Sequence, residues 1–196
     1  MKGANAYCAI LLAAGHARRF GTDKLLQPLA GRPMACVSAA ALQQVLPDTL
    51  AVTRPDQQAL IEQLAAQGVR TVTLDETNGG MGMSIAAGVA ASAEAKGWLI
   101  ALADMPFIQP TTIACVLAAL QNGSPIAAPM YRGQRGHPVG FSAAFGEALR
   151  ALRSDAGARE LLQRHTAEIT LIACDDAGIL ADIDTPSDLP TDTARI

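Results

Sequence analysis

The sequence predicts an α/β fold: a mostly parallel sheet in three layers, with helices on both faces. Strand-like and helix-like stretches alternate along most of the chain. Two of the strand-like stretches, residues 7–14 (YCAILLAA) and 98–103 (WLIALA), are near-continuous apolar runs, the pattern of parallel strands buried on both faces. At 196 residues with half of them apolar, the chain can bury a large core without disulfides.

Taken in order, the strand at 7–14 runs into a polar, glycine-bracketed loop over 15–27, and Pro33 opens a helix reaching about residue 45. A short strand follows at 50–53. Pro55 starts a helix with Leu60, Ile61 and Leu64 on one face, and Gly68 ends it. A strand at 69–74 leads into the glycine-rich loop 78–83 (NGGMGM), with Ser84 placed to cap a helix through about residue 95. After the strand at 98–103, Thr111 or Thr112 caps a helix ending near 121–123. Strands are expected at 126–129, 136–141 and 169–174, helices at 142–152 and 156–165, and a last ordered piece at 179–189.

Composition excludes several classes. A net charge of −3 gives no basic stripe for nucleic acid. No run of about 18 apolar residues reads as a membrane span, and the N-terminus does not read as a signal peptide. Cys8, Cys36, Cys115 and Cys174 are far apart and without metal-ligand spacing, so they read as reduced, buried small hydrophobes of a cytoplasmic protein.

In open α/β sheets ligands gather at the carboxyl ends of the strands, near the reversal of strand order. The first segment so placed is 11–26 (LLAAGHARRFGTDKLL). Small residues at Ala13, Ala14 and Gly15 admit a ligand to the backbone, and Arg18, Arg19 and Lys24 put three cations within seven residues. Lys24 is one of only three lysines, with Lys2 and Lys96. The combination favours phosphate binding over a merely solvated loop. It is neither a Walker A loop, since no Ser or Thr follows the lysine, nor a dinucleotide fingerprint, since Gly15 and Gly21 lack a middle glycine.

The second segment, Asp104-Met105-Pro106, ends a buried strand. A carboxylate there serves either a cation or a turn, and the two readings are about equally supported. In the third, 182–188 (DIDTPSD), alternation puts Asp182 and Asp184 on one side as candidate hard-metal ligands, while Asp188 is explained by a helix start. His137 in Gly-His-Pro-Val reads more often as a structural hydrogen-bonder than as a base. Arg159 is available to a ligand or to the surface.

Together LLAAGHARRFGTDKLL, GGMGMSIAAG, ALADMP, GHPV and DIDTPSDL resemble, in order and context, the molybdopterin nucleotidyltransferases, a MobA-like family. The resemblance covers about residues 7–189. It implies a single nucleotidyltransferase domain over residues 1–196 with a glycosyltransferase-A-like, Rossmann-like fold. Ala13-Ala14-Gly15, where guanylyltransferases carry Ala-Gly-Gly, and the paired GHP and DIDTP segments are similar to the molybdenum cofactor cytidylyltransferase branch. The implied activity is transfer of CMP from CTP to the terminal phosphate of molybdopterin or its molybdenum form, with Mg²⁺ as cofactor. GTP or a sugar phosphate is the alternative within the fold, and a non-catalytic carrier or insertion chaperone the alternative outside it. A molybdenum hydroxylase or its chaperone is the implied recipient.

Position by position, the resemblance implies that the backbone of Leu12, Ala13, Ala14 and Gly15 cradles the nucleotide. Arg19 and Lys24 bind its β- and γ-phosphates, and Gly82, Met83 and Ser84 contact base or ribose. Asp104 and Asp184 hold the metal, and His137 faces the acceptor.

Overall fold

The computed structural model describes residues 6–15, 23–74 and 80–189. Its strands are β1 (Cys8–Leu12), β2 (Pro28–Leu29), β3 (Arg32–Pro33), β4 (Thr49–Thr53), β5 (Arg70–Thr73), β6 (Gly97–Leu102), β7 (Ile126–Tyr131), β8 (Gln134–Arg135), β9 (Val139–Ser142) and β10 (Ile169–Ala173). The α-helices are α1 (Met34–Gln43), α2 (Gln58–Ala66), α3 (Met81–Ala90), α4 (Pro110–Gln121), α5 (Gly146–Arg150) and α6 (Arg159–Arg164). The main sheet runs β10-β7-β9-β6-β1-β4-β5, with β8 paired to β7 and β2-β3 forming a separate hairpin. All pairs in it are parallel except those made by β9 and β8, so the expected mostly parallel sheet is present.

Alternation along β1 explains the three layers. Ala9, Leu11 and Ala13 enter one core cluster with Cys36, Ala39 and Leu42 of α1, Leu60 and Leu64 of α2, and Val116 and Leu120 of α4. Cys8, Ile10, Leu12 and Ala14 enter the other, with Ile85 and Val89 of α3, Leu149 of α5 and Leu161 of α6. Buried on both faces, β1 has no room for polar residues, which is why it reads as an unbroken apolar run. Helix α3 lies so close to the sheet that a Cβ on Gly88 would meet Ile10 Cγ2 at 2.6 Å.

Order reverses beside β1. The chain lays β4 and β5 to one side and then crosses to place β6 on the other, so the switch point lies between β1 and β6, whose ends pair Leu12 with Leu102. The loops starting at Ala13 and Ala103 therefore leave neighbouring strand ends.

Four local expectations are corrected. Helix α4 starts at Pro110 after Gln109, so Thr111 and Thr112 lie inside it and do not cap it. Helix α3 starts at Met81 with Gly80 as its cap, not at Ser84, because the glycines pack on the 153–155 turn and Gly82 N donates to Ser154 O at 3.0 Å. Helix α2 starts at Gln58, since residues 54–57 close a turn in which Arg54 N donates to Gln57 Oε1 at 2.8 Å. Cys115 is exposed and Cys174 half-buried. The alanine-rich run around Cys115 hides which face of α4 meets the core.

Asp176, 3% exposed, ties the chain's last segment to the start of α4. It accepts from Gly178 N at 3.0 Å, Gln109 N at 2.9 Å and Thr112 Oγ1 at 2.7 Å. Asp176→Ala strands three donors, so a loss of about 2–5 kcal/mol is expected from unsatisfied buried groups. Urea unfolding checks it; a loss under about 1 kcal/mol would mean that water replaces the carboxylate.

Candidate functional site

Lys24 opens a 3-10 turn, Lys24–Leu26, capped by Asp23, whose carboxylate accepts from Leu25 N at 3.2 Å. Leu25 anchors the turn in the first core cluster, and the Lys24 side chain runs under cover with 9% exposure. Its ammonium lies between two carboxylates, donating to Asp104 Oδ2 at 2.9 Å and Asp184 Oδ1 at 3.0 Å. Burial pushes the pKa of Lys24 down. Hydrogen bonding and attraction from Asp104, then Asp184, outweigh burial and hold it above the ordinary lysine value.

Asp104 sits in the turn after β6, where backbone contacts hold it on two sides. Ser38 Oγ donates to Ala103 O at 2.9 Å, and Ile183 N donates to Asp104 O at 2.9 Å. The second bond carries the returning segment across the end of β6. A capping box then fixes that segment: Asp188 accepts from Asp184 N, Thr185 N and Thr185 Oγ1 at 3.0, 2.7 and 2.9 Å. Those bonds, the Thr185 hydroxyl first, hold the Asp188 carboxyl below the usual carboxylate range. Asp184 thus reaches Lys24 from 160 residues away in sequence. No Lys24 contact links Asp182 to the group; Asp182 instead acts electrostatically on His137.

Beside the carboxylates lies a cavity of about 310 Å³ whose lining includes Ala14, Gly15, Gly80, Ser84, Asp104 and Asp155. Gly82 is not part of that lining. Its missing Cβ would meet Ser154 O at 2.6 Å, so its smallness serves packing, while Gly80 borders the cavity. A second cavity of about 170 Å³ shares Leu12 and Met81 with the first and is bordered by Arg135, His137 and Arg159. The rest of its wall is largely apolar, including Ile100, Val139 and Phe141. His137 precedes a cis proline. Its Nδ1 is buried with no partner among the described residues, and burial lowers its pKa against the opposing effects of the Ile100 carbonyl, Asp104 and Asp182.

The structure brings together Leu12, Ala14, Gly15, Ser84 and Asp104 around one cavity, Lys24 and Asp184 beside it, and His137 around the next. Arg18 and Arg19 lie outside the described residues, as do Asn78 and Gly79. Sequence patterns missed Ser38, Gly80, and the pair Arg54 and Gln57 that hold the first loop. A lone serine inside the apolar helix 34–43 was the signal for Ser38. Among the described residues no three potential ligands cluster as a ready metal site, and no helix is long and apolar enough to cross a membrane.

Comparisons agree with this architecture. The chain is 31% identical over 188 residues to nicotine blue oxidoreductase of Paenarthrobacter nicotinovorans, covering 90% of this chain and 91% of that one. It is 30% identical over 191 residues to the purine catabolism protein PucB of Bacillus subtilis, covering 91% and 92%. Among solved structures, Rv0371c from Mycobacterium tuberculosis superposes with a TM-score of 0.84 at 23% identity, covering 95% of this chain and 96% of that one. A complex of Rv0371c with manganese gives 0.79 at 22% identity, covering 94% and 96%. The family described as MobA-like NTP transferase domain matches residues 9–169, and with its fold and site in view the chain belongs to that family of nucleotidyltransferases.

Proposed function

We propose that the protein transfers CMP from CTP to the terminal phosphate of molybdopterin, or of the molybdenum cofactor, with Mg²⁺ as cofactor. The observation that carries this is the Lys24 ammonium held between Asp104 and Asp184, beside the cavity at the switch point. Phosphate chemistry needs cation and carboxylates at the same place, and a non-catalytic carrier does not.

The donor set fits a Mg²⁺-type ion. Such ions take one or two protein carboxylates and complete their shell with substrate phosphates and water, and the site offers Asp104 and Asp184 and no third protein ligand among the described residues. Rv0371c, which shares the fold, has a structure in complex with manganese, which supports a divalent cation as cofactor. When bound, the ion would neutralise charge between donor and acceptor phosphates. An acceptor phosphate oxygen forms a bond to the α-phosphorus of CTP, the bond to the β-phosphate oxygen breaks, and pyrophosphate leaves with the electron pair. Lys24, with Arg19, stabilises charge on the leaving pyrophosphate. The backbone at Ala14 and Gly15 cradles the nucleotide, whereas Ala13, expected to share this role, gives its amide to Val52 O at 2.9 Å in the sheet. Ser84, with Gly80 in the place first given to Gly82, borders base and ribose. The second cavity takes the acceptor: Arg135 and Arg159 suit its phosphate, its apolar wall suits a flat ring, and His137 borders it.

A second reading, an oxidoreductase activity, rests on the name of the Paenarthrobacter relative alone. A nucleotide panel with molybdopterin as acceptor, scored for pyrophosphate and for NAD(P)H oxidation, separates the two.

The same panel tests base choice. Ala14 borders the donor cavity and is 6% exposed, with its methyl largely in the core. Ala14→Gly is expected to raise the GTP-to-CTP ratio of kcat/KM by about tenfold or less, within the roughly 1–3 kcal/mol that one carbon decides in a pocket. CTP should remain the better donor. An unchanged ratio would remove Ala14 from base selection.

A further inference from the structure

We infer that Arg54 and Gln57 are positioning residues for the donor nucleotide: they hold three consecutive carbonyls of the first loop away from the cavity, so that the loop's amides face the phosphates. The inference rests on the nucleotide reading of that cavity. Gln57 is 3% exposed and its Nε2 donates to Ala13 O at 3.1 Å. Arg54 Nη1 donates to Ala14 O at 3.2 Å and to Gly15 O at 2.6 Å. Both side chains come from the turn after β4, the neighbour of β1.

The turn is itself braced. Arg54 N donates to Gln57 Oε1 at 2.8 Å, and Gln57 N to Arg54 O at 3.2 Å. Asp56 takes Arg54 Nε at 2.9 Å and Nη2 at 3.4 Å, which fixes the plane of the guanidinium while Nη1 serves the loop. The Arg54 side chain is 12% exposed, although its own position along the chain is a surface turn. So much bonding spent on three carbonyls needs a reason beyond filling space.

An extended chain points successive carbonyls to opposite sides. Here Ala13, Ala14 and Gly15 present theirs to one pair of side chains, and the amides of Ala14 and Gly15 have no hydrogen bond among the described residues. Amides turned together in this way make an anion-binding concavity. Ala14 and Gly15 line the donor cavity, whereas Arg54 and Gln57 do not. A single flipped peptide would aim a carbonyl oxygen at a phosphate. Arg54 and Gln57 act by preventing that flip, through the loop and without touching the ligand.

The test measures binding of Mg·CTP by calorimetry without acceptor, and the acceptor KM separately. Arg54→Ala is expected to weaken Mg·CTP by about 10- to 100-fold, the range for two lost charge-assisted bonds, with acceptor KM unchanged. Gln57→Ala should weaken it by about tenfold or less. Arg54→Lys decides between geometry and charge, because an ammonium cannot bridge two carbonyls and Asp56 in one plane. It should behave like Arg54→Ala; wild-type affinity in Arg54→Lys would show that only charge matters and would overturn the inference. Unaltered CTP affinity in Arg54→Ala overturns it as well and leaves the nucleotidyl-transfer reading standing. A wild-type protein that binds no triphosphate overturns both.

Discussion

Asp104→Ala is expected to lower turnover by about 10³-fold or more, the scale on which losing several kcal/mol of transition-state stabilisation registers. The fold should survive. Asp104 leaves its side chain 27% exposed, and the turn that carries it is held through main-chain atoms, Ala103 O by Ser38 and Asp104 O by Ile183. A melting temperature within a few degrees of wild type, measured on the same preparation, confirms that the loss is chemical. Near wild-type turnover in a folded Asp104→Ala protein would remove the carboxylate from the reaction.

Lys24→Ala carries the second large effect, and two measurements should move in opposite directions. Triphosphate affinity and turnover should fall by about ten- to a hundred-fold, the worth of one charge-assisted phosphate contact, while CMP binding is little changed. Binding of Mn²⁺ without nucleotide should tighten. In the structure the ammonium lies within 3.0 Å of both carboxylates, so a small divalent ion seated there must displace it. Removing it leaves two carboxylates with less opposing charge and a stronger need for a cation. Manganese titration followed by electron paramagnetic resonance reads this directly. Weaker Mn²⁺ binding in Lys24→Ala would mean that Lys24 assembles the carboxylates and does not compete for their place.

Much of this was legible in the sequence, for particular reasons. The strands at 8–12 and 97–102 declared themselves because burial on both faces leaves only apolar side chains. Chain order and the ligand rule for open sheets then pointed to Lys24 and Asp104. The junction of Lys24 with Asp184 was not legible from spacing, since it depends on Asp176, Ile183 and the Thr185–Asp188 cap returning a distant segment to the end of β6. The start of α3 was misplaced because a glycine run signals a loop when read locally. Here packing of Gly80 and Gly82 against the 153–155 turn overrides it. Arg54 and Gln57 escaped notice because their targets are main-chain carbonyls, which carry no sequence signature.

The most direct measurement follows α-labelled CTP with molybdopterin and wild-type protein, counting labelled dinucleotide and pyrophosphate together as Mg²⁺ is added. Equal amounts of both products, rising with Mg²⁺ and absent in its chelated control, are expected. Pyrophosphate without dinucleotide, dinucleotide formed equally well without a divalent ion, or consumption of NAD(P)H in place of either product would contradict nucleotidyl transfer at the Lys24, Asp104 and Asp184 site.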